Sequence, residues 1–144
     1  MLKGIDPLLN AELLHILAGM GHGDELAVVD ANFPAVTNAK RLVRLDGVSS
    51  TRALQAVLSL LPLDDFVDAP IAAMQVVGDP NAIPEVVKEF HQVAEAAEGK
   101  KVKMERIDRF AFYERAKAAY AILATGERRL YGDVLVKKGV IRPD

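Results

Sequence analysis

Apolar residues recur along this chain with two alternating periods, and each switch marks an element. Leu9, Leu13, Leu17 and Met20 fall at helical spacing, with Leu14 and Ile16 beside them. Asp6-Pro7 ahead of them reads as a helix start, an N-cap followed by proline at the first helical position. Gly19, Gly21 and Gly23 end that helix, and the apolar run Leu26–Val29 reads as a buried strand. Asp30–Pro34 then predicts a turn. A short strand is expected at Leu42–Leu45, and a second helix capped by Ser49, Ser50 or Thr51 carries Leu54, Val57, Leu58 and Leu61 until Pro62 stops it. Leu63–Pro70 is an acidic loop with Asp64, Asp65 and Asp68, and Ile71–Val77 a second buried strand.

Pro84 opens a third helix, with Val86, Val87, Phe90, Val93, Ala94 and Ala97 on one face and Gly99 at its C-terminal cap. Val102–Ile107 reads as a strand. Asp108 caps a fourth helix, Arg109–Ala118. Tyr120–Ala124 is expected as a strand, Thr125–Tyr131 as a polar loop and Val134–Lys137 as a final strand. Strands alternate with helices over most of the length, which predicts one α/β domain across residues 1–144, a sheet between helical layers.

Composition removes whole classes of function. The 144 residues are 51% hydrophobic and 26% charged, with a net charge of −2 and both signs mixed along the chain. That balance gives no electrostatic reason to expect nucleic acid or an anionic membrane as partner. With no cysteine, disulfides, thiolate catalysis and cysteine-ligated metals are excluded. The N-terminus lacks the apolar core of a signal peptide, and no apolar run approaches the roughly 20 residues of a membrane helix. A cytoplasmic protein is the expectation. There is no G-x-G-x-x-G, P-loop or G-x-S-x-G, and His15, His22 and His91 are too widely separated to suggest a metal site.

The chemistry left to consider starts at His22, between Gly21 and Gly23. An imidazole titrates near neutrality and can give or take a proton; the plainer reading is a helix-terminal histidine bonded to a carbonyl. Asp30 ends the first strand, where α/β sheets gather ligands, although turn-capping aspartates are common there. It can bind a hydroxyl or orient His22. Asp24 and Glu25 read as solvated charges or supports of the His22 loop. Arg109 opens the fourth helix with a fork of donors suited to a polyol or carboxylate. Arg115 and Glu114 read as partners of each other or of a neighbouring subunit. Tyr131, Gly132 and Asp133 offer a phenol, a bare backbone and a carboxylate, or simply form a turn.

The segments L-K-G-I-D-P-L-L, M-G-H-G-D-E-L, D-A-N-F-P, R-I-D-R-F-A-F-Y-E-R-A, T-G-E-R and Y-G-D-V-L-V-K-K-G-V, in this order, resemble the L-fucose mutarotase branch of the fucose mutarotase and D-ribose pyranase family. The resemblance covers nearly the whole chain. It implies an isomerase that interconverts the anomers of a free monosaccharide without cofactor or metal. It implies His22 as the general acid and Asp30, Arg109, Tyr131, Gly132 and Asp133 as sugar-binding residues. It further implies a homodecameric ring with sites built at subunit contacts. Two positions depart from the pattern: Asp133 stands where asparagine is usual, and Asn32 where the branch often has histidine. Both bear on which sugar is preferred, L-fucose or another aldose such as D-ribose. A non-catalytic sugar-binding or transport-accessory protein is the competing reading, and a purely structural oligomer the third.

Overall fold

The computed structural model describes residues 1–144. Its elements run α1 (Ala11–Gly19), β1 (Glu25–Val29), α2 (Ala35–Asn38), β2 (Leu42–Leu45), α3 (Ser50–Leu58), β3 (Ile71–Met74), α4 (Glu85–Glu98), β4 (Met104–Ile107), α5 (Arg109–Ala118), β5 (Ala121–Thr125) and β6 (Val134–Lys137). The strands form one six-stranded sheet in the order β2-β5-β1-β6-β3-β4. The pairs β2–β5, β5–β1 and β3–β4 are parallel, and β6 runs antiparallel between β1 and β3. The expected mainly parallel sheet between helical layers is what forms.

Alternation along β1 shows how the two layers arise. Leu26 and Val28 point to one face and join a core with Leu13, Leu17, Leu54, Val57, Val87 and Phe90, so α1, α3 and α4 cover that side. Ala27 and Val29 point to the other, onto Phe112, Ala116 and Ala35 from α5 and α2. Phe112 is fully buried; truncating such a side chain to alanine costs about 3–5 kcal/mol. The central strands are apolar on both faces because both are covered.

Several boundaries differ from the sequence expectation, each for a local reason. α1 starts at Ala11, capped by the Asn10 side chain on the Leu13 N–H. Asp6 instead closes its own turn on Leu8 and takes both guanidinium nitrogens of Arg52, at 2.8 and 3.0 Å. Its carboxylate is committed to α3 rather than to a continuing helix. α3 ends at Leu58, and Leu61 completes one more turn through its N–H to the Val57 carbonyl. The short α2 was not expected; it follows the Asp30–Pro34 turn in chain to which the sequence assigns no element, and Asn38 Nδ2 donates to the Pro34 carbonyl across it. β3 stops at Met74, three residues short, because Val76 bridges back to Asp79 in a tight turn. β4 begins at Met104, since the Val102 N–H is taken by the Glu95 carboxylate. β5 lies one residue later than expected, at Ala121–Thr125. Gly99 ends α4 in the left-handed conformation, as its position predicted.

Candidate active site

His22 lies in the turn between α1 and β1. The Asp24 carboxylate accepts the Gly21 N–H at 2.7 Å, and the Gly23 N–H and Asp24 carbonyl both bond to Lys138 beyond β6. The Lys138 ammonium reaches back to the carbonyls of Leu17 and Met20 at the end of α1. Asp24 therefore supports the loop, as one of the two sequence readings had it. Glu25 does not: it pairs with Arg115 at 2.6 Å, and Arg115 also binds Glu105. Of the two alternatives for Arg115 and Glu114, pairing with each other does not occur, because α5 turns Arg115 toward β1 and β4 while Glu114 faces Lys117.

The imidazole is held by Asp64, from the acidic loop between α3 and β3. His22 Nε2 lies 2.9 Å from Asp64 Oδ1; the histidine side chain is 39% exposed and Asp64 only 3%. Burial pushes the Asp64 carboxyl up, but the Phe66 N–H, His22 and the charge of Lys137 outweigh it and hold it below the ordinary aspartate value. An ionised carboxylate only accepts, so Nε2 carries the hydrogen and donates it, leaving Nδ1 as the nitrogen free for other chemistry. The Phe66 ring stands beside the imidazole, with centroids 4.8 Å apart.

The chain past β6 brings Asp64 there. Residues 137–139 are bonded to Gly23 and Asp24 on one side and to Pro62 and Asp64 on the other, with Leu63 bridging Lys138. A Cβ on Gly139 would sit 2.5 Å from the Leu63 carbonyl oxygen and 2.7 Å from Asp64 Cα. Only glycine allows that approach. Nothing local in the sequence sets Asp64 apart from Asp65 and Asp68 in the same acidic loop.

The other candidates gather at the opposite end of β1. Asp30 is 6% exposed; its N–H donates to Asp133 Oδ1 at 2.8 Å, and its own carboxylate accepts the Asn32 N–H. Burial, first, and then the neighbouring Asp30 carboxyl and the charge of Glu127 push Asp133 well above the ordinary aspartate value. Tyr131, with φ 63°, takes a left-handed conformation unusual for a bulky residue, and its hydroxyl accepts the Val77 N–H at 3.0 Å. Gly132 is buried: a Cβ there would meet Glu127 Cγ at 2.6 Å. Its smallness is a packing requirement first.

Glu127, read as part of a polar loop, ties this end together. It accepts from Ser50 and Arg129, and Arg129 continues to Glu89. The Arg129 guanidinium, against the cost of burial, holds the Glu127 carboxyl down to about 2. Arg109 stands at the start of α5 with no ion-pair partner, its guanidinium 5.0 Å from the Phe110 ring centroid and 5.6 Å from that of Tyr113. With Gln75, Val77, Asp108 and Phe110 it lines a cavity of about 450 Å³ next to the Tyr131–Val77 contact. Phe33 packs edge-on against Tyr113 and links the Asp30 turn to Arg109.

Within one chain, then, Asp30, Tyr131, Gly132 and Asp133 meet and Arg109 stands beside them, whereas His22 does not join them. The five residues of β1 alone span roughly 16 Å. Of the two roles read for Asp30, orienting His22 does not hold within one chain: β1 puts them at opposite ends, and the imidazole is bonded to Asp64 instead. No three histidine, aspartate or glutamate side chains converge to hold a metal ion. No helix is long and apolar enough to cross a membrane.

Residues 3–141 match the model of the RbsD / FucU transport protein family. An L-fucose mutarotase of Histophilus somni is 46% identical over 140 residues, 97% of each chain. The fucose mutarotase of Streptococcus pneumoniae, solved with L-fucose, superposes with a TM-score of 0.87 at 42% identity, covering 98% of this chain and all of that one. FucU of Bifidobacterium longum superposes at 0.91 with 36% identity over 97% of this chain and 100% of that chain. On the family match and on identity sustained along the whole fold, this chain belongs to the RbsD / FucU family.

Proposed function

We propose that this protein is a mutarotase that interconverts the α and β anomers of L-fucose. The observation that carries the reading is the exposed imidazole of His22 fixed through Nε2 by buried, ionised Asp64, in a chain whose relatives are fucose mutarotases. Anomer exchange needs the ring opened and reclosed on its other face. A proton must leave the anomeric hydroxyl and one must arrive at the ring oxygen; no covalent enzyme intermediate is required. His22 Nδ1 takes the first proton, and the resulting imidazolium, stabilised by Asp64, delivers one back. A positioned acid/base group of this kind accelerates a reaction by roughly 10²–10⁴-fold. That suffices for a conversion that already proceeds in water.

Asp30, Asp133, Tyr131 and the Gly132 backbone bind sugar hydroxyls at the other end of the sheet, with the Arg109 fork beside them. Because His22 lies a strand length away, a working site takes His22 from one copy and the sugar-binding residues from its neighbour. Assembly into a homodecameric ring in the cytoplasm supplies that neighbour. Supporting it, Leu2, Leu60 and Ile141 are exposed around an apolar cavity of about 540 Å³ beside α1. The test is anomer exchange across a panel of aldoses. Acceleration for L-fucose above D-ribose supports the reading. Saturable sugar binding with exchange no faster than buffer would make this a sugar-binding protein instead.

A further inference from the structure

Two aspartates are buried side by side where β1 ends and β6 begins, 6% and 3% exposed. One oxygen of Asp133 accepts the Asp30 N–H at 2.8 Å and one oxygen of Asp30 accepts the Asn32 N–H, so the two carboxyl groups share one buried corner of the fold. Two ionised carboxylates buried together repel, and a shared proton removes the conflict. The charged groups around the pair do not relieve the repulsion. Glu127, on the loop after β5, is negative and ionised. Arg129 is committed to Glu127 and Glu89, and Arg44, which lines the small cavity next to Asp30, is paired with Asp46. Arg109, on α5, stands over the Phe110 and Tyr113 rings. Tyr131, on the same segment, has its hydroxyl on Val77. No cation pairs with either aspartate.

We propose that Asp133 works as a neutral carboxylic acid that donates its hydrogen to the Asp30 carboxylate, so that the pair shares one proton and loses its grip on the sugar when that proton leaves. The inference rests on the proposed sugar site and gives Asp133, besides its contact with the sugar, a positioning role that acts through Asp30. With the proton in place, Asp30 is aimed and keeps one unit of charge with which to accept a sugar hydroxyl. Without it, two buried like charges repel, the hydrogen bond is gone, and Asp30 turns from its binding position. An amide at residue 133 would offer the same donor at every pH. The device makes sugar binding, rather than proton transfer at His22, fail on the alkaline side.

Asp133→Asn tests this, because its Oδ1 still accepts the Asp30 N–H while its Nδ2 supplies the donor. KM for L-fucose is measured against pH in both proteins, and the carboxyl carbons of isotope-labelled aspartate are titrated by NMR in the sugar-free chain. The expected result is one aspartate still protonated at neutral pH, absent from Asp133→Asn. KM of the unmodified chain then rises roughly tenfold per pH unit once that proton is lost, kcat follows a different profile, and the variant shows no such rise. Full ionisation of every aspartate at neutral pH, or the same alkaline rise in both proteins, would overturn the proposal. Should the unmodified chain show no anomer exchange, the mutarotase reading fails, and the carboxyl titration still decides the shared proton.

Discussion

His22 Nε2 and Asp64 Oδ1 are 2.9 Å apart although 42 residues separate them in sequence. The contact fixes the tautomer, and in the proposed mechanism it stabilises the imidazolium formed during turnover. Asp64→Asn keeps an acceptor but removes the charge, so kcat should fall by roughly 10–10³-fold with KM little changed. Steady-state anomer exchange over a range of fucose concentrations reads the split.

Gly139 sets the distance at which Leu63 and Asp64 pass the chain after β6. Alanine there collides with backbone atoms that have no flexible end to move. A loss of about 1–3 kcal/mol is expected, the usual cost of overpacking, read as a lower urea midpoint. Because the displaced atoms belong to Leu63 and Asp64, kcat should fall in the same direction as for Asp64→Asn.

If each site draws His22 from one copy and Arg109 from the next, two inactive variants can repair each other. His22→Ala and Arg109→Ala should each lose most activity alone. Co-expressed and mixed at random, they should regain about a quarter of the normal rate, since that share of interfaces pairs two intact halves. Separately purified and mixed without exchange of subunits, they should remain inactive.

Glu127 links the loop after β5 to α3 and, through Arg129, to α4. Its carboxyl is held down to about 2 in the fold, against an ordinary 4.5. The stabilisation is therefore fully present above about pH 4.5 and is lost as pH falls through about 2. Arg129 is 43% exposed, which limits the effect. Glu127→Gln should cost about 1–3 kcal/mol at neutral pH, and the gap in melting temperature between the two proteins should close on acidification toward pH 2.

Periodicity exposed most of the fold: Leu26–Val29 and Val134–Lys137 are strands, Asp108 caps α5, and α4 lies between its caps Pro84 and Gly99. Those elements are long or sharply punctuated, and local chemistry decides them. The misread boundaries were decided by distant partners. Asp6 has the look of a cap until Arg52 claims it, and Val102 the look of a strand until Glu95 takes its N–H. The same distinction divides the site. His22 and Asp30 stand out in sequence because glycines and a strand end frame them. Asp64 does not, because its role exists only once residues 137–139 draw the loop alongside. Asp30 and His22 are neighbours in sequence terms and separated by the rigid length of β1.

Saturation-transfer NMR on free L-fucose measures exchange between its two anomers directly. Exchange is expected to be accelerated by the unmodified protein and reduced roughly 10²–10⁴-fold in His22→Ala, with the variant folded and assembled as before. Full exchange in His22→Ala would remove the histidine from the reaction and contradict the mechanism set out for the site.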